Sequence, residues 1–189
     1  IGNFDLSKIK CNFMSFNGSK WLCGPMGTGL FYCNKKSHEL LEPMAIGGES
    51  AMIYDNTNLA FKDIPDKFQT GFRNYVGMVG LESSVRYLLK FGMENIRKKN
   101  LRLSNLLREE LSKIKNIIFY GPEIPQERTS IISFNIGNHD PQLIVKKLEK
   151  QNIVLAVREI LDKKIIRASP HFFNTESEII QVVNTIKNL

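Results

Sequence analysis

The sequence contains few residues that bind metals or form disulfides. It has three cysteines and three histidines among 189 residues. Cys11, Cys23 and Cys33 form no Cys-x-x-Cys pair, and His38 is the only histidine near them. This spacing argues against a zinc site, and the odd number of cysteines argues against a disulfide framework. We therefore expect no metal and interpret the cysteines as buried free thiols.

Long apolar runs are also missing. None approaches the roughly 18 residues that a membrane-spanning helix needs. Residues 1–10, IGNFDLSKIK, lack an initiator methionine and the basic-then-apolar order of a signal peptide. We therefore expect a cytoplasmic protein with no membrane contact. The length predicts one domain or two small ones.

The charge is moderately basic. The chain has 26 Lys+Arg against 19 Asp+Glu, a net charge of +7, so anionic partners are possible. The clearest basic run is IRKKNLR, residues 96–102. It lies in a helical pattern and has no interleaved aromatic residues that could stack on bases. We interpret it as a solvated helix face and expect no nucleic-acid partner.

The order of the apolar patterns predicts an α/β fold. A short buried strand at 11–16 and a second strand at 28–33 flank a glycine-rich turn. A loop-rich stretch at 34–73 precedes helices at 74–92 and 93–114. Further strands are predicted at 116–121, 128–137, 153–159 and 163–173. Residues 93–189 therefore predict an α/β unit with two or three helices on one sheet.

Local signals predict how several of these helices begin, end and pack. Asp140 and Pro141 predict the start of a third helix, and Thr175 with Glu178 has the spacing of a capping box before a fourth. Gly92 is expected to end the first helix. Apolar residues expected on the buried face of helix 74–92 are Val76, Val79, Leu81, Val85, Leu88 and Leu89. Those expected on helix 93–114 are Ile96, Leu103, Leu106, Leu107 and Leu111.

Lys20 stands in an unusual setting. The segment SFNGSKWLCGPMGTGLFYC, residues 15–33, places it beside the only tryptophan and just before three glycines and a proline. One interpretation is a hairpin turn with an exposed lysine. A phosphate-binding Walker loop is rejected, because such a loop ends in Gly-Lys-Ser/Thr and leads into a helix, whereas here a strand follows.

A Schiff-base lysine is the third interpretation. An amine attacks an aldehyde only when it is neutral, and an ordinary lysine pKa of about 10.4 leaves almost none neutral at pH 7. Burial and a nearby cation lower the pKa, so such a lysine is expected on a tight, desolvated turn. Glycines would let the backbone approach a cofactor, and Trp21 would help to exclude water. Asn17, Ser19 and backbone N–H groups could then hold a phosphate.

Three segments in order resemble one family. They are SFNGSKWLCGPMGTGLFY (15–32), FQTGFRNYVGMVGLESSVRYL (68–88) and IIRASPHFFNTESEI (165–179). Together they resemble the class V aminotransferases, pyridoxal-phosphate (PLP) enzymes of fold type I that include the cysteine desulfurases. The resemblance implies that PLP is the cofactor and that an amino acid is the substrate.

The resemblance also implies roles for particular residues. Lys20 would form the Schiff base with PLP and later move the proton at the substrate α-carbon. Asn17 would bind the cofactor phosphate, and Arg167 would hold the substrate α-carboxylate. Asn174 is expected to shape the turn before the last helix, and His171 is expected to be structural.

The sequence departs from the family pattern at several positions. Ser19 stands where the family often has histidine, so one phosphate or stacking contact is weakened or replaced. Phe72 and Arg73 replace a Thr-Pro pair whose threonine reaches the phosphate across the dimer. Arg73 is a candidate for that phosphate contact, with simple solvent exposure as the alternative. No cysteine occurs between Ile153 and Arg167, where desulfurases carry a nucleophilic one. This segment resembles the aminotransferase and epimerase-like members.

The lysine of the family lies near the middle of its chains, so the resemblance implies a C-terminal fragment. Residues 1–73 would be the end of the large PLP-binding domain, 74–92 a connecting helix, and 93–189 the small α/β domain. The resemblance further implies a homodimer with the active site at its interface. We expect the fragment alone to be inactive, because the family's aspartate that pairs with the pyridine nitrogen lies upstream.

These observations favour a PLP-dependent enzyme with aminotransferase-like or epimerase/lyase-like chemistry. The alternative within the fold is a cysteine desulfurase or selenocysteine lyase. An alternative of another class is a catalytically silent module that dimerises or binds a partner, supported by the replacements at Ser19 and Phe72.

Overall fold

The computed structural model describes residues 5–6, 8–55 and 57–188. The chain divides into two units, Phe4–Lys90 and Phe91–Leu189.

Two antiparallel hairpins and one long helix form the first unit. Strands β1 (Phe13–Asn17) and β2 (Gly29–Cys33) pair from Phe13 opposite Cys33 to Asn17 opposite Gly29. Strands β3 (Ala51–Tyr54) and β4 (Leu59–Phe61) form the second hairpin. Short 3-10 helices cover Lys35–Leu40 and Asp66–Phe68. Helix α1 spans Tyr75–Phe91.

The β3–β4 hairpin lies inside the stretch that we expected to be a loop. Its turn is built by Asp55, whose carboxylate oxygen accepts hydrogen bonds from the amides of Thr57 and Asn58, each at 2.8 Å. The bond from the Thr57 amide is the largest of several that lower the pKa of Asp55 to about 2. The aspartate at position 55 is the one sequence signal for this hairpin, because aspartate favours such an Asx turn. The strands themselves are too short to show a clear alternation of apolar and polar residues.

The first hairpin is more exposed than the sequence suggested. We expected a buried first strand, but Phe13, Phe16 and Phe31 are 38%, 37% and 60% exposed. A two-stranded hairpin is too small to shield its own apolar side chains from water. The apolar side chains of β1 and β2 can therefore be buried only if another surface packs against the hairpin.

Helix α1 also corrects a prediction. Leu81 and Leu88 are buried, whereas Val76, Val79 and Leu89 are exposed. Leu81 and Leu88 are seven residues apart and share a face, but Val79 lies about 200° around the helix from Leu81 at 3.6 residues per turn. The predicted residues therefore lie on more than one side of the helix.

A four-stranded sheet with three helices forms the second unit. Helix α2 (Met93–Ser112) precedes β5 (Ile117–Tyr120) and β6 (Ile132–Ile136); α3 (Pro141–Glu149), β7 (Ala156–Ile160), β8 (Lys163–Ala168) and α4 (Glu176–Lys187) follow. A 3-10 turn at Pro125–Glu127 lies between β5 and β6. The strand order is β5-β6-β8-β7, with every pair antiparallel. Helix α2 packs on α4, and α3 packs on α4, β7 and β8. The predicted α/β unit is confirmed.

The core of this unit lies between the sheet and its helices. Phe134, Leu148 and Ile166 are fully buried there. Of the five α2 residues expected to be buried, four are, and Leu106 is partly buried against the same core. Residues 97–99 of the basic run are exposed, and Arg102 pairs with Glu176 at 2.6 Å. The run is therefore a solvated helix face, as predicted.

The helix boundaries follow the predicted signals. Gly92 has a φ of +78°, a left-handed conformation that favours glycine, and it separates α1 from α2. The Asp140 side chain accepts a hydrogen bond from the amide of Gln142, and Pro141 begins α3. Thr175 and Glu178 form a reciprocal capping box at the start of α4.

Within the described ranges, no helix is both long enough and apolar enough to cross a membrane.

Candidate functional site

The turn that carries Lys20 connects β1 to β2 and folds back on itself. The amide of Gly18 donates to the carbonyl of Thr28 at 2.9 Å, and the amide of Gly24 donates to the carbonyl of Gly18 at 2.8 Å. The amide of Cys23 donates to the carbonyl of Lys20 at 2.9 Å. These bonds fix the backbone on both sides of Lys20, whose side chain is exposed.

Two glycines make this folding possible. A Cβ on Gly18 would collide with the Thr28 hydroxyl and lie 3.0 Å from the Thr28 backbone. A Cβ on Gly24 would lie 2.7 Å from Leu81 Cδ1 and 2.9 Å from the Gly18 carbonyl oxygen. We expected the glycines to let the backbone approach a cofactor closely. Instead, these two let the turn pack closely against its own backbone and against helix α1. The exposure of Lys20 likewise departs from the desolvated turn that we expected.

Asn17 and Ser19 lie on the same turn and contact one another. The Asn17 Oδ1 atom accepts hydrogen bonds from both the amide and the hydroxyl of Ser19, each at 2.9 Å. The Asn17 amide nitrogen donates no hydrogen bond within the described part of the chain. This nitrogen is a donor of the kind that a phosphate oxygen accepts from.

Arg73 lies between the second 3-10 helix and α1. Its guanidinium forms an ion pair with the carboxylate of Asp66, and its side chain is 38% exposed. No hydrogen bond or ion pair between described residues joins Arg73 to the Lys20 turn. A phosphate contact by Arg73 would therefore compete with Asp66.

Arg167 belongs to the second unit, on β8. It lies opposite Ser133 of β6 and Ala156 of β7, so a strand pairs on each side of it. Its Nε atom is buried and has no hydrogen-bond partner in the described chain. A buried, charged donor without an acceptor is unfavourable, and a carboxylate would satisfy it.

The segment after β8 is held by its own side chains. Asn174 Oδ1 accepts a hydrogen bond from the His171 amide at 2.9 Å, and Asn174 Nδ2 donates to Glu178 Oε2 at 3.2 Å. His171 is buried, and its ring stacks on Phe173 with centroids 4.7 Å apart. These contacts agree with the structural roles that the sequence suggested for Asn174 and His171.

The connection between β7 and β8 is a two-residue turn. Ile160 pairs with Lys163, and the turn residues Leu161 and Asp162 have φ values of +48° and +61°. Positive φ at both positions is typical of a type I′ hairpin turn. This is the segment in which we noted the missing cysteine.

The cysteines correct one expectation. All three are free thiols, but Cys23 is exposed and Cys11 and Cys33 are only half-buried. They lie on or beside the exposed first hairpin, which explains why they are not in a core. Partial burial still raises the pKa of the Cys23 thiol. The described residues contain no group of three or more His, Cys, Asp or Glu that could hold a metal ion.

A family model described as aminotransferase class-V matches residues 2–182. The chain belongs to this family.

Relatives of this class-V protein share its sequence over about half of their own length. A protein of Methanothermobacter thermautotrophicus named "Probable cysteine desulfurase" is 31% identical over 200 aligned residues, which cover 98% of this chain and 49% of that protein. The chain thus spans about half the length of the curated relatives that it matches.

Solved structures share the fold. An apo cysteine desulfurase from Thermococcus onnurineus matches with a TM-score of 0.92 and 23% identity, over 97% of this chain and 48% of that one. A variant of C-DES with glycine covalently linked to its PLP cofactor matches with a TM-score of 0.85 and 23% identity, over 98% and 48%. The likeness confirms the predicted α/β fold class and its relation to fold type I enzymes.

Proposed function

We propose that this protein is a PLP-dependent enzyme that acts on an amino acid. The observation that carries the proposal is the Lys20 turn, in which hydrogen bonds fix the backbone around one lysine whose amine is accessible. Membership of the class-V family supports the same conclusion, because PLP-linked structures occur among proteins of this fold.

The residues of the turn fit the proposed cofactor. The exposed Lys20 amine can be reached by an aldehyde, and the Asn17 amide nitrogen is available to a phosphate. We assign Ser19 the role of orienting Asn17, because its amide and hydroxyl both hold Asn17 Oδ1. Arg73 is a further candidate phosphate ligand, in exchange for Asp66. PLP, when bound, supplies an electron sink for reactions at the α-carbon of an amino acid.

Arg167 is the proposed carboxylate-binding residue. Its buried Nε lacks an acceptor among the described residues, and a planar guanidinium matches a carboxylate with two parallel hydrogen bonds. The neighbouring strands hold its backbone, so it can fix the substrate's orientation. Lys20 is then the group proposed to take up and return the proton at the substrate α-carbon.

We propose that a second copy of the chain completes the site. Exposed apolar side chains of the first unit, among them Phe16, Phe31 and Phe72, offer surface for such a partner. Covering this surface would also help to exclude water from the Lys20 turn.

Amino-group transfer to a keto acid is the first candidate reaction. It is supported by the β7–β8 connection, a two-residue turn in a segment without cysteine. Cysteine desulfuration is the second candidate, and the names of the curated relatives favour it. Release of sulfide from L-cysteine would identify the second; formation of a new amino acid from a keto acid would identify the first.

Borohydride reduction of the protein purified from its natural source tests the cofactor. We expect a reduced pyridoxyl adduct, located on Lys20 by peptide mapping and absent from the Lys20→Arg variant. A protein with unmodified Lys20 and no PLP absorbance would overturn the proposal and favour the silent module.

A further inference from the structure

A second cluster of positive charge lies in the unit Phe91–Leu189, on residues that the proposed function does not use. Arg108 of α2 and Arg128, in the segment before β6, both line one small cavity of about 150 Å³. The other polar residues on its wall are Ser104, Asn105, Tyr120, Thr129 and Ser133.

Both guanidinium groups are held in place by neutral partners. The Arg108 guanidinium carbon lies 4.1 Å from the centroid of the Phe119 ring, a cation–π arrangement. Arg128 donates from Nε to the Pro122 carbonyl at 3.0 Å and from Nη2 to the Glu123 carbonyl. The two side chains are thus oriented by the fold itself.

Ion pairs between described residues do not neutralise the charges of Arg108 and Arg128. Neither arginine pairs with a carboxylate among the residues that the structure describes. Burial, and then the positive charge of Arg128, lower the pKa of Arg108; the carboxylate of Glu123 offsets part of this effect. Two half-buried cations that line one cavity and repel each other favour an anion in that cavity.

We propose that this cavity, the Arg108–Arg128 pocket, binds the phosphate group of a small molecule. Arginines are suited to phosphate because their planar forks donate two hydrogen bonds to neighbouring oxygens. The hydroxyl of Ser133 and the amide of Asn105 add donors for the remaining oxygens. The proposal does not depend on the chemistry at Lys20, because the pocket shares no residue with that site.

Calorimetric titration with inorganic phosphate, at constant ionic strength maintained with chloride, tests the pocket. We expect Arg108→Gln and Arg128→Gln each to raise the dissociation constant at least tenfold. The matched control is Arg97→Gln, an exposed position about 16 Å along α2 by the helical rise, which should bind as the unmodified protein does. Glu123→Gln, which removes the opposing negative charge, should bind phosphate more tightly.

Binding that is equal in Arg108→Gln, Arg128→Gln and Arg97→Gln would overturn the proposal, as would no binding by the unmodified protein. Because Arg108→Gln leaves Asn17 and Lys20 intact, its effect separates this pocket from the proposed cofactor site. Circular dichroism checks that each variant is folded. Arg128→Lys is a further variant, which keeps the positive charge at this position but lacks the planar guanidinium. A parallel titration with glycerol 3-phosphate distinguishes the two candidate ligands, a phosphate ester and free phosphate. If glycerol 3-phosphate binds more tightly than inorganic phosphate, the ligand is a phosphate ester; if it binds equally or more weakly, the ligand is free phosphate.

Discussion

Arg167 combines a fixed backbone with a buried nitrogen that has no acceptor in the described chain. A lysine at this position would keep the charge but lose the planar pair of donors. In the cofactor-loaded protein, we therefore expect Arg167→Lys to raise the dissociation constant for an amino acid at least tenfold. The change in PLP absorbance on substrate addition measures this binding without turnover.

Arg158 offers the matched control for that experiment. It lies on the adjacent strand β7 and is exposed, with its guanidinium donating to the Val157 carbonyl. Arg158→Lys should leave substrate affinity unchanged. Equal weakening by both variants would mean that general charge, and not the guanidinium of Arg167, binds the carboxylate.

Asn100 is a buried polar residue whose role the sequence did not indicate. It is 1% exposed in α2, and neither its side-chain nitrogen nor its side-chain oxygen has a hydrogen-bond partner among the residues that the structure describes. A buried group left without a hydrogen bond costs about 1–3 kcal/mol. We expect Asn100→Leu to raise the free energy of unfolding by about that amount, measured by urea denaturation.

Lys98→Leu, at an exposed position of the same helix, should change stability by less than about 0.5 kcal/mol. A less stable Asn100→Leu variant would contradict the prediction that the buried amide costs stability.

At the scale of single residues, the sequence indicated which residues to consider but not what surrounds them in the fold. The pattern around Lys20 identified the turn, because glycine and asparagine act through local backbone geometry. It could not reveal that Asn17 holds Ser19 or that Arg73 pairs with Asp66, since those contacts depend on side-chain positions in space. The Arg108–Arg128 pair was missed for the same reason, because twenty residues separate two side chains that line one cavity only in the folded unit.

The capping box at the start of α4 is the clearest local element. The Thr175 hydroxyl accepts a hydrogen bond from the Glu178 amide, and the Glu178 carboxylate accepts one from the Thr175 amide at 2.7 Å. We expect Thr175→Ala to lower the free energy of unfolding by about 1 kcal/mol. Asn184→Ala, at an exposed position of the same helix, serves as the control.

The same cap predicts a pH dependence. The hydrogen bond from the Thr175 amide, followed by that from Asn174, lowers the pKa of Glu178. The stabilisation is therefore complete at pH 7 and is lost as the pH falls below about 4.3, the ordinary value for glutamate, and through the lower pKa of the folded state. Glu178→Gln should lower the melting temperature more at pH 7 than at pH 2.5. An equal decrease at both pH values would show that the carboxylate charge does not matter.

Elements were predictable where their signals are local. Both long helices, the four strands of the second unit and the helix starts at Asp140 and Thr175 follow from periodicity and capping residues. The β3–β4 hairpin was missed because its strands are only four and three residues long. The buried face of α1 was predicted wrongly because the helix carries apolar residues on more than one of its faces.

At the scale of the whole molecule, the two units differ in how they bury apolar residues. The described part of Phe4–Lys90 buries Leu81 and Leu88 but leaves Phe31, Phe72 and Val76 exposed. Large exposed apolar surface is typical of a binding interface. We expect the 189-residue chain by itself to bind the dye ANS and to elute from a sizing column above its 21.6 kDa mass.

Replacing Phe16 and Phe31 by serine should weaken both the binding of ANS and the self-association seen on the sizing column. These two residues are exposed, so their loss should not disturb a core. A monomeric chain without dye binding would contradict the prediction and the proposed second copy. The assignment of residues 1–73 to a large domain and 93–189 to a small one stays a prediction.

The position of β8 in the middle of its sheet has a kinetic consequence. Ile166 and Arg167 of β8 are paired with β6 on one side and with β7 on the other, and Ile166 lies with Phe134 in the buried core. Their amide hydrogens therefore exchange with deuterated water only when this pairing opens. We expect these protons to exchange through openings that cost close to the full free energy of unfolding, and those in the exposed turn around Lys20 to exchange through smaller local openings. We therefore expect the proposed carboxylate-binding geometry to persist as long as the sheet of this unit stays folded.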